Sequence, residues 1–431
     1  MKYYSLNKKA PTVSFKEAVI NGLAPDKGLY FPESIRPLGK DFITNISNYT
    51  DHEIGYEVIK QFIGSEIPEN ELKQIIKETL NFNFPLIDIE NGIKTLELFH
   101  GPTMAFKDVG ARFMARCLGY LNTGSEKEVT VLVATSGDTG GAVASGFLGV
   151  KNINVVILYP SKKVSDVQEK QLTTLGKNIK TLEVRGTFDD CQAMVKKAFL
   201  DGSITSVKQL TSANSINVAR WLPQMFYYFL AYKQLKSHGK KLVFSVPSGN
   251  YGNICAGMMA KQLGLPIHRF IAATNVNDVV PKYLQTGYYN VRSSIQTISN
   301  AMDVGDPSNF IRIQKIYNND FDALKEDLYS YSFSDAETRS AMRHLYIDHN
   351  YMADPHGAVG YLGAKKYLEE HEDTQCVFLE TAHPVKFLDV VEPVIEKSIE
   401  FPPQIRAVID KTKEATFISS YSELKSFLLK N

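Results

Sequence analysis

The sequence lacks the features that would take it to a membrane or to nucleic acid. It contains no stretch of about twenty uninterrupted apolar residues, so no membrane-spanning helix is predicted. The formal net charge is +1, which gives no electrostatic basis for binding nucleic acid or an acidic membrane surface. The N-terminus has no apolar core of a secretory signal. We therefore expect a cytoplasmic protein.

Cysteine is also scarce, and several nucleotide-binding motifs are missing. The chain has 4 cysteines, far apart and without a C-x-x-C pair, at Cys117, Cys191, Cys255 and Cys376. This spacing favours reduced thiols and, with histidines that show no metal-ligand spacing, predicts no metal site. Neither G-x-G-x-x-G nor G-x-x-x-x-G-K-[ST] occurs. Their absence argues against a Rossmann oxidoreductase and a P-loop protein.

What is present is an ordinary globular composition with a change of rhythm near residue 91. The chain has 431 residues, of which 44% are hydrophobic and 22% charged, and its length favours two or three domains. Residues 1–90 show helical periodicity, with a capping box formed by Ser14 and Glu17, and predict a mainly helical N-terminal domain. From there to residue 431, buried strands alternate with helices, which predicts an α/β fold with mostly parallel sheets.

The second part of the chain is expected to divide further. Strands are predicted at 129–134, 153–159, 179–184, 242–246 and 377–380. Residues 214–237 are predicted as a long helix broken near Pro223. The irregular segment 276–333 is interpreted as an insertion near the site. We expect a smaller subdomain over about 110–213 and a larger one formed by 91–109 and 214–431.

Lys107 is the most unusual residue of the sequence. It lies between Ala105-Phe106 and an apolar helix, although lysine is rarely buried without a partner. Burial lowers the pKa of an amine, and an uncharged amine can form a Schiff base with a carbonyl compound. The alternative is that Lys107 pairs with Asp108 at the mouth of the helix.

Two turns rich in small residues follow predicted strands. One spans 135–142 and contains Ser136, Asp138 and Thr139, and the other spans 246–253. Backbone N–H groups at the start of a helix can bind a phosphate or a carboxylate. Each turn by itself could equally be an ordinary helix start.

Two further stretches carry polar side chains toward the expected site. Thr381 lies at the exit of the last strand, where an open parallel sheet faces its ligand crevice. His383 is either a general base or a structural turn residue before Pro384. Asn214, Asn217 and Arg220, three apart, would share a helix face and could clamp an anion, or could form a solvated helix start.

Taken in order, the motifs F-H-G-P-T-x-A-F-K-D, A-T-S-G-D-T-G, P-S-G-N-x-G-N and E-T-A-H-P-x-K-F resemble those of the threonine synthase family, in its long form with an extra N-terminal domain. This family belongs to the pyridoxal-phosphate enzymes that include cysteine synthase and threonine dehydratase. The resemblance covers nearly the whole chain. It implies fold type II, with two open α/β domains and the cofactor, pyridoxal 5'-phosphate, between them.

The resemblance also implies roles for individual residues. Lys107 would form the Schiff base with the cofactor, and Thr381 would hydrogen-bond its pyridine nitrogen. The cofactor phosphate would be held by the turn of Gly249, Asn250, Tyr251, Gly252 and Asn253. Asp138 would lie beside the 3'-oxygen of the cofactor, where many short-form relatives have Asn. Ser136 and Thr139 would hold the substrate carboxylate, and Asn214 and Arg220 the substrate phosphate.

The implied reaction converts O-phospho-L-homoserine and water to L-threonine and phosphate, in a monomer or homodimer. Two alternatives stay open at this point. One is a related phospho-lyase or dehydratase that gives 2-oxobutyrate. The other is a non-catalytic protein descended from such an enzyme.

Overall fold

The computed structural model describes residues 1–125, 127–235 and 239–430. Its strands are β1 (Lys2–Ser5), β2 (Val13–Ser14), β3 (Tyr30–Pro32), β4 (Leu86–Glu90), β5 (Ile93–Glu97), β6 (Val129–Ala134), β7 (Ile153–Pro160), β8 (Ile179–Val184), β9 (Gln209–Thr211), β10 (Lys241–Pro247), β11 (Arg269–Thr274), β12 (Leu328–Ser332), β13 (Thr374–Glu380) and β14 (Thr416–Ile418).

The α-helices are α1 (Phe15–Asn21), α2 (Lys40–Thr44), α3 (Asp51–Ile63), α4 (Glu69–Thr79), α5 (Lys107–Leu121), α6 (Asp138–Phe147), α7 (Asp166–Thr173), α8 (Phe188–Leu200), α9 (Gly202–Thr205), α10 (Val218–Trp221), α11 (Met225–Gln234), α12 (Gly252–Gln262), α13 (Val279–Thr286), α14 (Phe310–Ile316), α15 (Phe321–Asp327), α16 (Asp335–His349), α17 (Pro355–Leu368), α18 (Leu388–Ile395), α19 (Pro403–Ile409) and α20 (Tyr421–Lys430). Short 3-10 helices span Ile46–Asn48, Leu222–Gln224, Asn300–Met302 and Pro384–Phe387.

The N-terminal region combines helices with a small sheet. The predicted capping box is present, because the Ser14 hydroxyl accepts from the Glu17 N–H and the Glu17 carboxylate accepts from the Ser14 N–H. Helices α3 and α4 lie where the periodicity predicts them. The antiparallel sheet β2-β1-β3 was not predicted, because its strands have only two to four residues each.

The larger α/β unit is built on a six-stranded sheet in the order β12-β11-β10-β13-β5-β4. All its pairs are parallel except that of β4 with β5. Its central strands are apolar on both faces and buried, which is the pattern of a sheet covered by helices on both sides. The segment 276–333 supplies the edge strand β12, so part of the expected insertion belongs to the sheet itself.

The smaller unit is built on a five-stranded parallel sheet in the order β14-β8-β7-β6-β9. The prediction of two open, mostly parallel α/β units beside a mainly helical N-terminal region is therefore confirmed. The domain boundaries stay a prediction, and two parts of them need correction. Residues 86–90 were assigned to the N-terminal domain, but they form β4, which pairs with β5 of the larger sheet. Residues 214–431 were assigned to the larger unit, but β14 pairs with β8 of the smaller sheet. Leu424 and Leu428 of α20 also pack in the core of the smaller unit.

Two findings bear on the expected environment of the protein. In the described part of the chain, no helix has both the length and the apolar character needed to cross a lipid bilayer. The four cysteines are buried and form no disulfide.

Candidate active site

Lys107 lies beside the end of the central strand β13. The N–H of Phe106 donates to the carbonyl of Thr381 at 2.8 Å, and the N–H of His383 donates to the carbonyl of Met104 at 3.0 Å. Helix α5 begins at Lys107, immediately after this short antiparallel pairing. The fold therefore brings Lys107 and Thr381 together at the carboxyl end of the sheet, where open α/β sheets bind their ligands.

The Lys107 amine has no close anionic partner among the described residues. The hypothesis of a pair with Asp108 is wrong, because that carboxylate accepts from the Thr103 N–H at 2.9 Å and from the Thr103 hydroxyl at 2.6 Å. The nearest carboxylate oxygen, Oδ2 of Asp138, lies 4.0 Å from Nζ. Burial lowers the pKa of Lys107 below its ordinary value. These conditions favour an uncharged, nucleophilic amine.

Asp138 is paired with a second buried lysine, which the sequence analysis did not select. Nζ of Lys386 lies 2.8 Å from Oδ1 of Asp138, and Nε2 of Gln168 donates to the same oxygen at 2.9 Å. Burial raises the pKa of Asp138 and is the largest single effect, but the charges of Lys386 and Lys107 and the hydrogen bonds from Lys386 and Gln168 together hold the pKa well below its usual range. A signal for Lys386 was present in the sequence, since it lies between Val385 and Phe387 much as Lys107 follows Phe106.

The turn between β10 and α12 presents a row of free backbone donors. No oxygen within residues 1–125, 127–235 and 239–430 accepts the N–H groups of Gly249, Asn250, Tyr251 and Gly252. Tyr251 has a left-handed backbone, with φ at 60°, which turns the strand into the helix. At Gly249, a Cβ would lie 2.6 Å from the carbonyl oxygen of Ala301, so this position requires glycine. Such a turn at a helix N-terminus is suited to a phosphate.

The asparagine side chains of this turn brace it from within. Asn253 donates from Nδ2 to the carbonyl of Pro247 at 2.8 Å, and its Oδ1 accepts from the N–H of Ile254. Asn250 accepts from the Ser308 hydroxyl at 3.1 Å, and its carbonyl accepts from the Asn309 N–H. The segment 276–333 therefore forms a wall of the turn, which agrees with its expected place near the site.

The turn between β6 and α6 is organised by one hydroxyl group. Oγ1 of Thr135 accepts from the N–H groups of Gly137 at 3.0 Å and Gly140 at 2.8 Å. Gly137 has φ at 144° and packs directly against Gln168. The side chains of Ser136 and Thr139 remain half-buried at the turn surface and can donate to a ligand.

Arg220 is a buried cation beside α5, the helix that begins at Lys107. Its Nη1 donates to the carbonyl of Ala213 at 2.8 Å, while its Nε is buried without a partner in the described chain. Burial lowers the pKa of Arg220 to about 10, so the guanidinium stays charged at neutral pH. It packs against Gly110, one helical turn after Lys107, where a Cβ would lie 2.6 Å from the carbonyl oxygen of Arg220.

The helical face expected for residues 214–220 is not formed. Asn217 is the N-cap of α10, with its Oδ1 accepting from the Ala219 N–H, and Asn214 lies in the preceding turn. The predicted helix over 214–237 is in three pieces, and residues 236 and 237 lie outside the described part of the chain. Asn214 still lies close to the turn between β10 and α12, because its neighbour Ser215 contacts Gly252. Its side-chain oxygen is buried without a described partner.

His383 has the structural role that was one of its two interpretations. Its Nδ1 accepts from the N–H of Val385 at 3.0 Å, which caps the 3-10 helix that carries Lys386. Burial lowers the pKa of His383 to about 4, so the imidazole is neutral at pH 7.

Comparison with known proteins assigns the chain. The family description "Pyridoxal-phosphate dependent enzyme" matches residues 92–381, "Threonine synthase N terminus" matches 2–80, and "Threonine synthase, C-terminal" matches 357–428. The chain is 43% identical, over 432 residues and the full length of both proteins, to the threonine synthase of Buchnera aphidicola subsp. Baizongia pistaciae. The chain belongs to the threonine synthase family.

Solved structures of this family agree with the fold. The threonine synthase of Escherichia coli matches with a TM-score of 0.94 and 40% identity, covering 100% of both chains. The pyridoxal-phosphate-bound threonine synthase of Brucella melitensis matches with a TM-score of 0.93 and 33% identity, covering 99% of this chain and 98% of that one. The chain is thus a pyridoxal-phosphate-dependent lyase of the threonine synthase family.

The site described above fits this cofactor. Pyridoxal phosphate carries an aldehyde, which needs an uncharged amine, and a phosphate, which needs several donors. The buried amine of Lys107, with its lowered pKa, and the free N–H groups at the start of α12 are suited to these two groups.

A separate cluster of possible metal ligands lies at Glu90, His344 and His349, whose ligating atoms are within 4.8 Å of one another. Sequence spacing did not indicate it, because Glu90 comes from a different element. Nζ of Lys365 lies 3.3 Å from Nε2 of His344, and its charge opposes a cation there. We assign no metal to this cluster.

Proposed function

We propose that the substrate is O-phospho-L-homoserine, converted with water to L-threonine and phosphate. The observation that supports this substrate is the second anion site beside Lys107. The row of free N–H groups at 249–252 suits the cofactor phosphate, which leaves the buried Arg220 guanidinium for another anion. A substrate with its own phosphate would use it.

In this proposal, Lys107 holds the cofactor covalently through its amine. Gly249, Asn250, Tyr251, Gly252 and Asn253 hold the cofactor phosphate through backbone N–H groups. Thr381 would hydrogen-bond the pyridine nitrogen, and Asp138 would lie beside the 3'-oxygen. When bound, the cofactor stabilises negative charge that develops at carbon atoms of the substrate.

The substrate is proposed to bind at both ends. Ser136 and Thr139 hold its carboxylate at the N-terminus of α6, where the helix dipole favours an anion. Arg220 and Asn214 hold its phosphate. Because Arg220 is already buried and fixed by its bond to Ala213, negative charge on the departing phosphate meets a preorganised partner.

Lys107 is also proposed to move the protons. The amine of Lys107 would remove a proton from Cα of the bound substrate and would deliver or remove protons at Cβ. Its lowered pKa suits this work at neutral pH. All these residues come from one chain, which is compatible with a monomer or a homodimer in the cytoplasm.

The test measures phosphate release and threonine formation from O-phospho-L-homoserine. The variant Lys107→Ala should lose at least about a thousandfold in kcat/KM, since both the cofactor link and the proton carrier are removed. Lys196→Ala, an exposed lysine on α8, is the matched control and should behave as the wild type.

The products separate the alternatives. Threonine and phosphate in equal amounts support the proposal, whereas 2-oxobutyrate with phosphate would identify the phospho-lyase instead. Equal activity of wild type and Lys107→Ala would reject both. Borohydride treatment of the yellow wild-type protein should attach the cofactor to the peptide that contains Lys107.

A further inference from the structure

Two lysines in the site share one carboxylate. Nζ of Lys386 and Nζ of Lys107 lie on opposite oxygens of Asp138, at 2.8 and 4.0 Å respectively. Two ammonium groups and one carboxylate would leave an excess positive charge in a buried place, which is costly. One of the two amines is therefore favoured to lose its proton.

The contacts decide which amine keeps the charge. Nζ of Lys386 donates both to Oδ1 of Asp138 and to the carbonyl of Thr103, each at 2.8 Å, and its side chain is fully buried. Nζ of Lys107 has only the 4.0 Å approach to Asp138, which is beyond hydrogen-bond distance. The main chain of Lys386 is also fixed in place, because its carbonyl accepts from the Ser165 hydroxyl at 2.9 Å.

We propose that Lys386 is a positioning residue that keeps Lys107 uncharged by taking Asp138 as its own ion partner. This inference rests on the role proposed above for Lys107. It also accounts for an acidic residue at position 138 beside an anionic oxygen of the cofactor, since Lys386 neutralises the carboxylate.

Some of the other charged groups around Lys107 favour its protonated form, and others oppose it. Arg220 from α10 opposes a charge on Lys107, as Lys386 does, while Asp138 from α6 and Asp354 at the start of α17 favour it. Replacing Lys386 with a neutral residue removes one positive charge and frees Asp138 to pair with Lys107. Replacing Asp138 with Asn removes the carboxylate and should act in the opposite direction.

The experiment follows the capture of pyridoxal phosphate by the apo-protein across a pH series, with the absorbance of the bound cofactor as the readout. Only uncharged Lys107 reacts, so the pH at half-maximal rate reports its ionisation. In Lys386→Met this midpoint should rise by about one pH unit or more, and in Asp138→Asn it should fall. Lys386→Arg should restore a midpoint close to that of the wild type.

The matched control is Lys261→Met. Lys261 also donates to a carboxylate, Asp327 at 2.6 Å, and to a carbonyl, His268 at 2.9 Å, but it lies on α12 outside the Lys107–Asp138 pair. Its loss should lower stability and leave the midpoint unchanged.

An unchanged or lowered midpoint in Lys386→Met would overturn the inference. If Lys386→Met does not fold, Lys386→Gln, which keeps a donor for the carbonyl of Thr103, takes its place in the same measurement and is expected to raise the midpoint in the same way. The proposed function fails separately, if Lys107→Ala captures the cofactor as the wild type does.

Discussion

At the scale of single residues, burial sets the charge of the groups around the site. Burial, followed by the neighbouring carboxylate of Asp354, raises the pKa of Glu380 well above its ordinary value. Burial acts in the opposite direction on His383, whose pKa falls to about 4. Burial therefore keeps His383 uncharged at neutral pH and disfavours a negative charge on Glu380, and both residues are close to Thr381 in the chain.

His383 leads to a prediction on pH. The unfolded chain protonates this imidazole near pH 6.5, whereas the folded chain does so near 4. Between these values the unfolded state binds the extra proton, so the contribution to stability is complete above pH 6.5 and is lost as the pH falls. His383→Asn retains an acceptor for the Val385 N–H. When the pH falls from 7.5 to 5, we expect the free energy of unfolding of this variant to decrease by about 2 kcal/mol less than that of the wild type.

Urea unfolding of both apo-proteins at the two pH values measures this difference. His52→Asn is a control, because His52 lies in the N-terminal region, where its Nε2 is 3.0 Å from the carbonyl oxygen of Leu80. Equal losses in the wild type and in His383→Asn would contradict the prediction.

At the scale of secondary-structure elements, long apolar strands were predictable and short edge strands were not. The bounds of β6 and β8 agree with those predicted, because each is an apolar run that ends at polar or glycine residues. Strand β14 was missed, since it has three residues, two of them exposed, and no such pattern.

In the candidate site, too, some features were predictable from the sequence and others were not. Lys107 and the two turns have local sequence signals, whereas the partnership of Lys386 with Asp138 joins two distant segments and exists only in the fold. The prediction that a helix begins at Asn214 was wrong, because the side chain of Asn217 caps a helix that begins at Val218. A residue spacing of three is equally compatible with both arrangements.

The turn at residues 249–252 leads to a prediction, because another main-chain segment packs closely against it. Gly249→Ala would place a Cβ 2.6 Å from the carbonyl oxygen of Ala301 and 2.9 Å from Cα of Met302, both of which are main-chain atoms. The turn must shift, and we expect the affinity for pyridoxal phosphate to fall by about ten- to a hundredfold.

Equilibrium titration of the apo-protein with the cofactor provides the measurement. Gly202→Ala at the start of α9, where a Cβ meets open space, should leave the affinity unchanged. A tight-binding Gly249→Ala would show that the turn does not hold the phosphate.

At the scale of the whole molecule, one buried guanidinium joins three regions. Nη2 of Arg312 donates to the carbonyl of Tyr30 in the N-terminal region at 3.0 Å and to that of Ile216 at 2.6 Å. Nη1 donates to Oδ1 of Asn309 at 2.7 Å and to the carbonyl of Ser215 at 3.1 Å. The N-terminal region is thus fixed to the segment that leads into the helix of Arg220.

Arg312→Met should therefore affect both stability and the site. The loss leaves several buried oxygen atoms without donors, and we expect the free energy of unfolding to fall by at least about 3 kcal/mol. Inhibition by inorganic phosphate should also weaken, because residues 215–216 precede Arg220. Arg339→Met, an exposed arginine of α16, is the control for both measurements. A variant with normal stability and normal inhibition would contradict this role.

The position of β14 has a consequence during protein synthesis. The ribosome completes β8 early, but the strand that covers its outer edge comes from residues 416–418, near the end of the chain. At about 5–20 residues per second, that edge stays open for on the order of ten seconds or more. An open strand edge can pair with a neighbouring nascent chain, so polysomes translating this protein are where aggregation has its best opportunity and where a chaperone would have its main effect.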